Sequence, residues 1–329
     1  MSVAPFASEN VCCPRCGADD AAPRLPLVHS RIVSCRPCGM SYVNPRATSA
    51  HLQAKLQQWA EQDVVDEQRL AGAFDAGNLA HYDRLLGLLE RHADPGRRRL
   101  LDVGCATGAF LTVARDRGWS ARGLEIGAAS SAHARERLGL DVARASLYDY
   151  AAPAGGFDAI AFLEVIEHLE RPAEALARIR EMLSPQGLLL ATTPNFDSLY
   201  RRLFGNRWWV VNCEDEHIVL FNPATLAGML REQGFEVLEL RIRGLDLAGL
   251  AREAKAALAG SRAGPPGADP GAGYYRDRSA RARIKALLER VGLLPAARAL
   301  LRALDRTFAW RASPTYAWGE QLIVVARRI

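Results

Sequence analysis

Leu100-Leu101-Asp102-Val103-Gly104-Cys105-Ala106-Thr107-Gly108-Ala109-Phe110 constrains the fold of this chain more than any other stretch. Apolar residues around one acid read as a buried strand, followed by a glycine-rich bend and a helical pattern. Gly104 and Gly108 carry no Cβ, so the backbone there can approach a ligand closely. The helix that follows opens with unpaired N–H groups. The bend is therefore expected to hold a nucleotide-like ligand. Ser120-Ala-Arg-Gly-Leu-Glu125 reads as a second strand ending in an acid, 17 residues after Gly108. A carboxylate at that place in a doubly wound sheet accepts hydrogen bonds from ribose hydroxyls. A dinucleotide fold calls for G-x-G-x-x-G after its first strand. Here D-x-G-x-x-x-G stands instead, and Asp102 would repel a pyrophosphate. The spacing points to a ligand with an amino group and no phosphate.

The surrounding pattern supports an open sheet. From residue 99 onward strands and helices alternate, with strands expected at 99–104, 120–125, 141–145, 157–163, 187–193 and 235–242, and helices near 109–118, 128–138, 172–183 and 223–233. Such alternation gives a parallel sheet covered on both faces. Ligands in such sheets bind beyond the C-terminal strand ends, where Asp102, Glu125, Ser146, Leu147, Leu163 and Glu164 are expected. Residues 48–94 read as helical, with Leu52, Leu56 and Trp59 on one face and Leu79, Tyr82, Leu85, Leu86, Leu88 and Leu89 on another. Asp94-Pro95-Gly96 ends that region, and Glu320–Ala326 reads as one more strand.

Two matching knuckles precede all of this: Cys13-Pro-Arg-Cys16-Gly and Cys35-Arg-Pro-Cys38-Gly, 18 residues apart. That is the spacing of a four-thiolate zinc site. Four thiolates close the tetrahedron and leave no open position, so Cys13, Cys16, Cys35 and Cys38 are expected to hold a structural Zn2+; the alternative is four free buried cysteines. Cys105 and Cys213 are expected to be packing residues. Seven cysteines with no leader-like N-terminus argue against a disulfide framework and for a cytoplasmic chain. No apolar run approaches the roughly 20 residues of a membrane span. A net charge of +5 does not by itself imply nucleic acid, and the stretch between the knuckles is no basic stripe.

The D-x-G-x-x-x-G bend with Glu125 downstream resembles the first motif of the class I S-adenosylmethionine-dependent methyltransferases. Ala106 stands where that family usually has a middle glycine. The resemblance implies a doubly wound, seven-stranded Rossmann-like sheet with the last strand beside the sixth. It also implies a site for S-adenosyl-L-methionine at Asp102, Gly104, Cys105, Ala106 and Gly108. Within it Glu125 would hold the ribose, Ile126 and Leu147 would flank the adenine, and Tyr82 would touch the methionine carboxylate. Glu164-Val-Ile-Glu167-His168 resembles the E-V-x-E-H stretch of the ubiquinone-type O-methyltransferases, where it is linked to a divalent metal. The spacing puts these three on one side of a turn, and two carboxylates with an imidazole can bind Mg2+; alternatively His168 caps the turn and lines the pocket. Leu183-Ser-Pro-Gln-Gly187 resembles the L-x-P-G-G turn of the same group. No N-P-P-Y or D-P-P-Y follows the fourth strand, which argues against methylation of a nucleobase amine.

Residues 196–222 are long for a plain connection and rich in aromatics, as a pocket-shaping lid would be. Within them His217 is the expected general base, oriented by Glu216 or Asp215, since an imidazole is suited to taking a proton near neutral pH; alternatively it pins the lid. The division expected is a zinc ribbon over 1–47, a helical linker and cap over 48–94, a core over 95–243 plus 320–329, and a helical insertion over 244–319 before the last strand. In that insertion, 276–311 carries ten Lys/Arg against three acids. It is expected either to cap the core or to lie on an anionic membrane. These features favour methyl transfer to a small-molecule acceptor at oxygen or carbon (a sugar, a quinone or phenol, or a lipid-linked intermediate). An rRNA or tRNA base methyltransferase with a zinc ribbon and a catalytically silent S-adenosylmethionine-binding scaffold are the alternatives, and the oligomeric state is open.

Overall fold

The computed structural model describes residues 6–212, 214–244 and 318–329. The expected insertion, its basic stretch 276–311 and Cys213 lie outside the described residues, apart from Gly244, Trp318 and Gly319. The chain forms two compact units. One comprises residues 49–193, 224–240 and 323–329; the other comprises 1–48, 194–223 and 241–322.

A seven-stranded sheet dominates. Its strands are β6 (Arg99–Val103), β7 (Ser120–Leu124), β8 (Asp141–Ala143), β9 (Phe157–Leu163), β10 (Leu183–Pro194), β12 (Phe235–Arg243) and β13 (Gln321–Arg328), in the order β12-β13-β10-β9-β6-β7-β8. The last strand thus inserts beside the sixth element of the alternating series, as expected. The β6–β7, β7–β8, β6–β9 and β9–β10 pairs are all parallel. The chain runs outward from β6 through β7 to β8, then returns to the other side of β6 as β9. Strand order therefore reverses between β6 and β9, which opens a crevice beyond their C-terminal ends. Both faces of the sheet are buried: Leu100, Leu101, Ala159, Ile160, Ala161, Phe162 and Leu189 are sealed from solvent, as near-continuous apolar strands require.

The helices follow the expected segments. They are α3 (Ala76–Glu90), α4 (Ala109–Asp116), α5 (Ala128–Glu136), α6 (Pro172–Met182) and α8 (Pro223–Glu232). The α3 face of Leu85, Leu86, Leu88 and Leu89 is buried, and Tyr82 meets the edge of Phe110 on α4 with ring centroids 5.6 Å apart.

Two local readings change. β10 starts at Leu183, not Gly187. Leu183 already pairs with Phe157, and Ser184-Pro-Gln-Gly187 forms a bulge inside the strand rather than a turn before it. Gln186 takes the left-handed backbone that such a bulge needs (φ +62°). The first helix, α1 (Ser49–Glu61), buries none of its residues fully, and Leu56 and Trp59 are 55% and 46% exposed. One of its ties to the unit is polar, with Ser49 Oγ donating to Glu170 at 2.5 Å.

In the other unit the two knuckles frame a small antiparallel sheet. Its strands are β2 (Ala21–Pro26), β3 (Arg31–Cys35) and β4 (Ser41–Val43). A fourth strand, β11 (Val219–Leu220), joins on β4 from nearly two hundred residues downstream. Ile32 and Leu220 share a core with Phe196, Tyr200, Trp208, Val210 and Val211.

Candidate cofactor-binding site

At the reversal point the bend after β6 is built from unusual backbone. Gly104, Ala106 and Gly108 have φ of +79°, +47° and +87°. Gly104 is open to solvent, and a Cβ there would lie 2.8 Å from Val165 Cγ2. Ala106 adopts the same left-handed region with a methyl group, at a cost of about 1 kcal/mol. Glu125 helps to hold it there. Its Oε2 accepts from the Ala106 N–H at 2.8 Å, and its Oε1 accepts from the Gly127 N–H at 2.6 Å. Glu125 is 4% exposed. Each carboxylate oxygen has two acceptor positions, so a second is left on each beyond these bonds.

Acidic groups dominate the bend. Burial, followed by the nearby Glu125 charge, pushes Asp102 up to about 8; Asp102 is 2% exposed. Burial and then Asp102 also raise the Tyr82 hydroxyl, with a further contribution from Glu164. Burial, Asp102 and Glu125 together raise the Cys105 thiol well above its ordinary range. Tyr82, Asp102, Cys105, Glu125 and Glu164 therefore face one another electrostatically. The Cys105 thiol is buried and protonated; what it offers to a ligand is backbone. Ser146 closes the turn after β8 by donating to Asp149 at 2.5 Å. Leu147 is buried, while Ile126 and Leu163 are half-buried.

The end of β9 is strained. Glu164 is exposed with φ +55°, a conformation costing roughly 1–3 kcal/mol for such a residue. A short 3-10 turn, Ile166–His168, follows. It buries Glu167 and leaves Glu164 and His168 exposed, yet the three side chains stay adjacent, as the one-turn spacing implied. Glu167 accepts from Thr193 Oγ1 at 3.0 Å and stands 3.9 Å from His168 Nε2. Burial, then the Glu164 charge, raises Glu167 well above the carboxylate range, and the two side chains share a hydrogen bond.

Sequence reasoning missed Asp63. This buried acid follows α1, and its Oδ2 accepts from the Ser130 N–H in the first turn of α5 at 2.6 Å. Gly127, at the N-cap of α5, offers no side-chain bond, so Asp63 caps that helix from elsewhere in the chain. Arg69 donates to its other oxygen at 2.5 Å, and both charges are felt at Glu125. Asp63 sits in an aperiodic break between helices, where no local pattern marks it.

In the other unit, the Cys13, Cys16, Cys35 and Cys38 sulfurs all lie within 4.8 Å of one another. The Cys13–Cys38 and Cys16–Cys35 pairs are each 3.5 Å apart. A tetrahedral zinc with Zn–S of about 2.3 Å needs edges of about 3.8 Å, so the donor set fits one. Burial pushes Cys35 up to about 11, while the Ala18 backbone N–H holds Cys16 down at about 7. His217 lies in this unit. Its Nδ1 is 2.6 Å from the Val210 carbonyl. An imidazole can only donate there, so Nδ1 carries a proton. Trp209 packs edge-on against the ring at 6.1 Å. One bond that orients His217 thus comes from a backbone carbonyl, a partner the sequence reading did not consider beside Asp215 and Glu216, which are half-buried.

Comparison with known proteins agrees with this geometry. A family model described as a methyltransferase domain matches residues 73–240, half of the chain. The chain belongs to the methyltransferase-domain family. Its sheet order, reversal point and acidic bend are those of the class I S-adenosylmethionine-dependent group within that family. A ubiquinone biosynthesis O-methyltransferase of Nitrosococcus oceani is 33% identical over 116 residues, covering 33% of this chain and 49% of that protein. One from Aromatoleum aromaticum is 26% identical over 166 residues, covering 47% of this chain and 71% of its own length. The match thus spans about half the length of the first relative. Among solved structures, a SAM dependent methyltransferase from Archaeoglobus fulgidus aligns with a TM-score of 0.49 at 16% identity, over 80% of this chain and 100% of that one.

Proposed function

We propose that this chain transfers a methyl group from S-adenosylmethionine to the oxygen or carbon of a small-molecule acceptor. The observation that carries the reading is the set of acidic groups in the crevice. Asp102, Glu125 and Glu164 surround a glycine bend at the reversal point, which suits a cationic adenosine compound and repels a phosphate. When bound, S-adenosylmethionine supplies a methyl group already activated on a sulfonium, so the chain must align the partners and remove a proton. Gly104, Cys105, Ala106 and Gly108 give close backbone approach. Asp102 faces the ligand's ammonium, with Tyr82 beside it. Glu125 offers its remaining acceptor positions to the ribose hydroxyls, and Ile126, Leu147 and Leu163 border the base. Ser146, committed to its turn, shapes that border.

His217 takes the acceptor's proton on Nε2, and Glu216 adds negative charge beside it. The ubiquinone O-methyltransferase relatives favour a phenol- or quinone-type oxygen over a sugar or a lipid-linked acceptor. Cys13, Cys16, Cys35 and Cys38 hold a structural zinc, and thiolates of that kind suit a reducing cytoplasm. No helix among the described residues is long and apolar enough to cross a membrane. A divalent ion at Glu164, Glu167 and His168 would have to displace the proton shared by the two carboxylates. A magnesium requirement should therefore show as turnover that rises with both Mg2+ and pH.

Calorimetry with S-adenosylhomocysteine tests the shared premise. Asp102→Ala and Glu125→Ala should each weaken binding by about tenfold or more; unchanged affinity in both defeats the reading. A screen of phenols, nucleotide sugars and lipids then identifies the acceptor, and His217→Ala should abolish turnover with affinity for S-adenosylhomocysteine intact. Tight RNA binding that falls steeply with salt would favour the base-methyltransferase alternative, and binding without turnover on any acceptor would favour the scaffold.

A further inference from the structure

We infer that the cysteine ribbon is an arm of the catalytic apparatus: it grips residues 214–221 at both ends and so sets the tautomer of His217, with Glu214 as the positioning residue. This rests on the proposed role of His217 as the base.

The upstream grip is one carboxylate. Glu214 is 7% exposed. Its Oε1 accepts from the Val28 N–H at 2.5 Å and from the His29 N–H at 3.1 Å, and its Oε2 accepts from His29 N–H at 3.2 Å and from the Ser30 hydroxyl. These donors belong to the turn between β2 and β3, closed by the Leu27 N–H on the Ser30 carbonyl at 3.1 Å. Ionised acceptors make the stronger class of hydrogen bond, and here one acid gathers three donor groups.

The downstream grip is a strand pairing. Val219 and Leu220 lie opposite Tyr42 and Ser41, and the Val43 N–H donates to the Ile218 carbonyl at 3.0 Å. β4 starts three residues after Cys38, and β3 ends at Cys35, so the strand that holds β11 grows out of the second knuckle. Arg15 of the first knuckle donates to the Cys38 carbonyl at 3.2 Å. Between the two grips lie Asp215, Glu216 and His217. The Val210 carbonyl that fixes the His217 ring belongs to the core that Ile32 and Leu220 complete from the ribbon side. A ribbon built only to fold itself would need neither the clasp nor the fourth strand.

The test uses the full chain. Zinc is measured by elemental analysis, then extracted with a chelator while hydrogen exchange is followed by mass spectrometry. Exchange over 208–221 should speed up by about tenfold or more, while that over 99–125 stays as it was. In parallel, 15N-labelled histidine, with His217 assigned through His217→Asn, reports the tautomer by NMR. The native protein should show His217 with the proton on Nδ1 alone. Glu214→Ala should keep its zinc and its S-adenosylhomocysteine affinity but show a mixture of tautomers. Ser30→Ala, which removes one donor and leaves the fold's apolar contacts intact, should show a smaller shift in the same direction. Unchanged exchange over 208–221 in the zinc-free protein, or a single Nδ1–H tautomer in both variants, overturns the inference. Failure of the native protein to bind S-adenosylhomocysteine would instead overturn the methyltransferase reading, and it leaves the exchange and tautomer results standing on their own.

Discussion

Binding of S-adenosylhomocysteine should release a proton from Asp102. In the free protein burial and the neighbouring Glu125 charge put this carboxyl at about 8. The ionised fraction is then about 1% at pH 6, about 9% at pH 7 and about half at pH 8. An ammonium that pairs with Asp102 needs the carboxylate. Apparent affinity should therefore follow that fraction, rising about ninefold from pH 6 to 7 and about fivefold from pH 7 to 8. Calorimetry at pH 7 in buffers of different ionisation enthalpy should show close to one proton released. Asp102→Asn removes the titration, so its affinity should be flat with pH and should fall furthest below the native value at pH 8. Glu125, Tyr82 and Cys105 also face this group and are raised with it. Glu125→Gln is therefore the control, and it should leave a pH slope in place. The same ionisation has the opposite sense for stability. Without ligand, the folded chain keeps a proton that the unfolded chain loses near pH 4. The contribution of Asp102 is thus full below pH 4 and is lost as the pH rises toward about 8. A native affinity that does not change between pH 6 and 7, or an Asp102→Asn variant with the native slope, would refute the argument.

Other outcomes follow from single contacts. Asp63→Ala removes the trans cap of α5 and should cost about 1–2 kcal/mol, read as a lower midpoint in urea. Burial would raise the Asp63 carboxyl, but the Ser130 N–H and Arg69 outweigh it and hold the group below its ordinary range. Its stabilising contribution is therefore present above about pH 4 and lost in acid, and the variant should lack that part of the acid unfolding limb. Ala106→Gly relieves the left-handed strain and should raise stability by about 0.5–1 kcal/mol at unchanged S-adenosylhomocysteine affinity; a loss of stability would mean that the greater freedom of glycine in the unfolded chain outweighs the strain. Gly104→Ala adds a Cβ 2.8 Å from Val165 at φ +79° and should weaken S-adenosylhomocysteine binding by about tenfold, with native-like affinity the contrary result.

Much of the core was legible in order of residues alone. The apolar runs around Leu100, Ile160 and Leu190 fix buried parallel strands, because a strand covered on both faces tolerates few polar side chains. Gly104, Gly108 and the acids at 102 and 125 mark the bend, since left-handed backbone and strand-tip chemistry are local demands. The two knuckles are local as well, each closing within four residues. The aromatic segment gave less: its composition suggested a pocket wall, and nothing in it foretold that Val219–Leu220 would pair with β4.

What chain order determined, then, is every feature whose cause lies within a few neighbours: strand, bend, helix start, thiolate pair. Tertiary structure alone decided which distant groups answer one another. Asp63 caps a helix that begins 65 residues later, Glu214 clasps a turn more than 180 residues before it, and buried Glu167 takes the Thr193 hydroxyl from 26 residues downstream. The physical reason is the same in each case. A buried carboxylate must find donors or a proton wherever the fold supplies them, and its own neighbours in the chain carry no record of where that is.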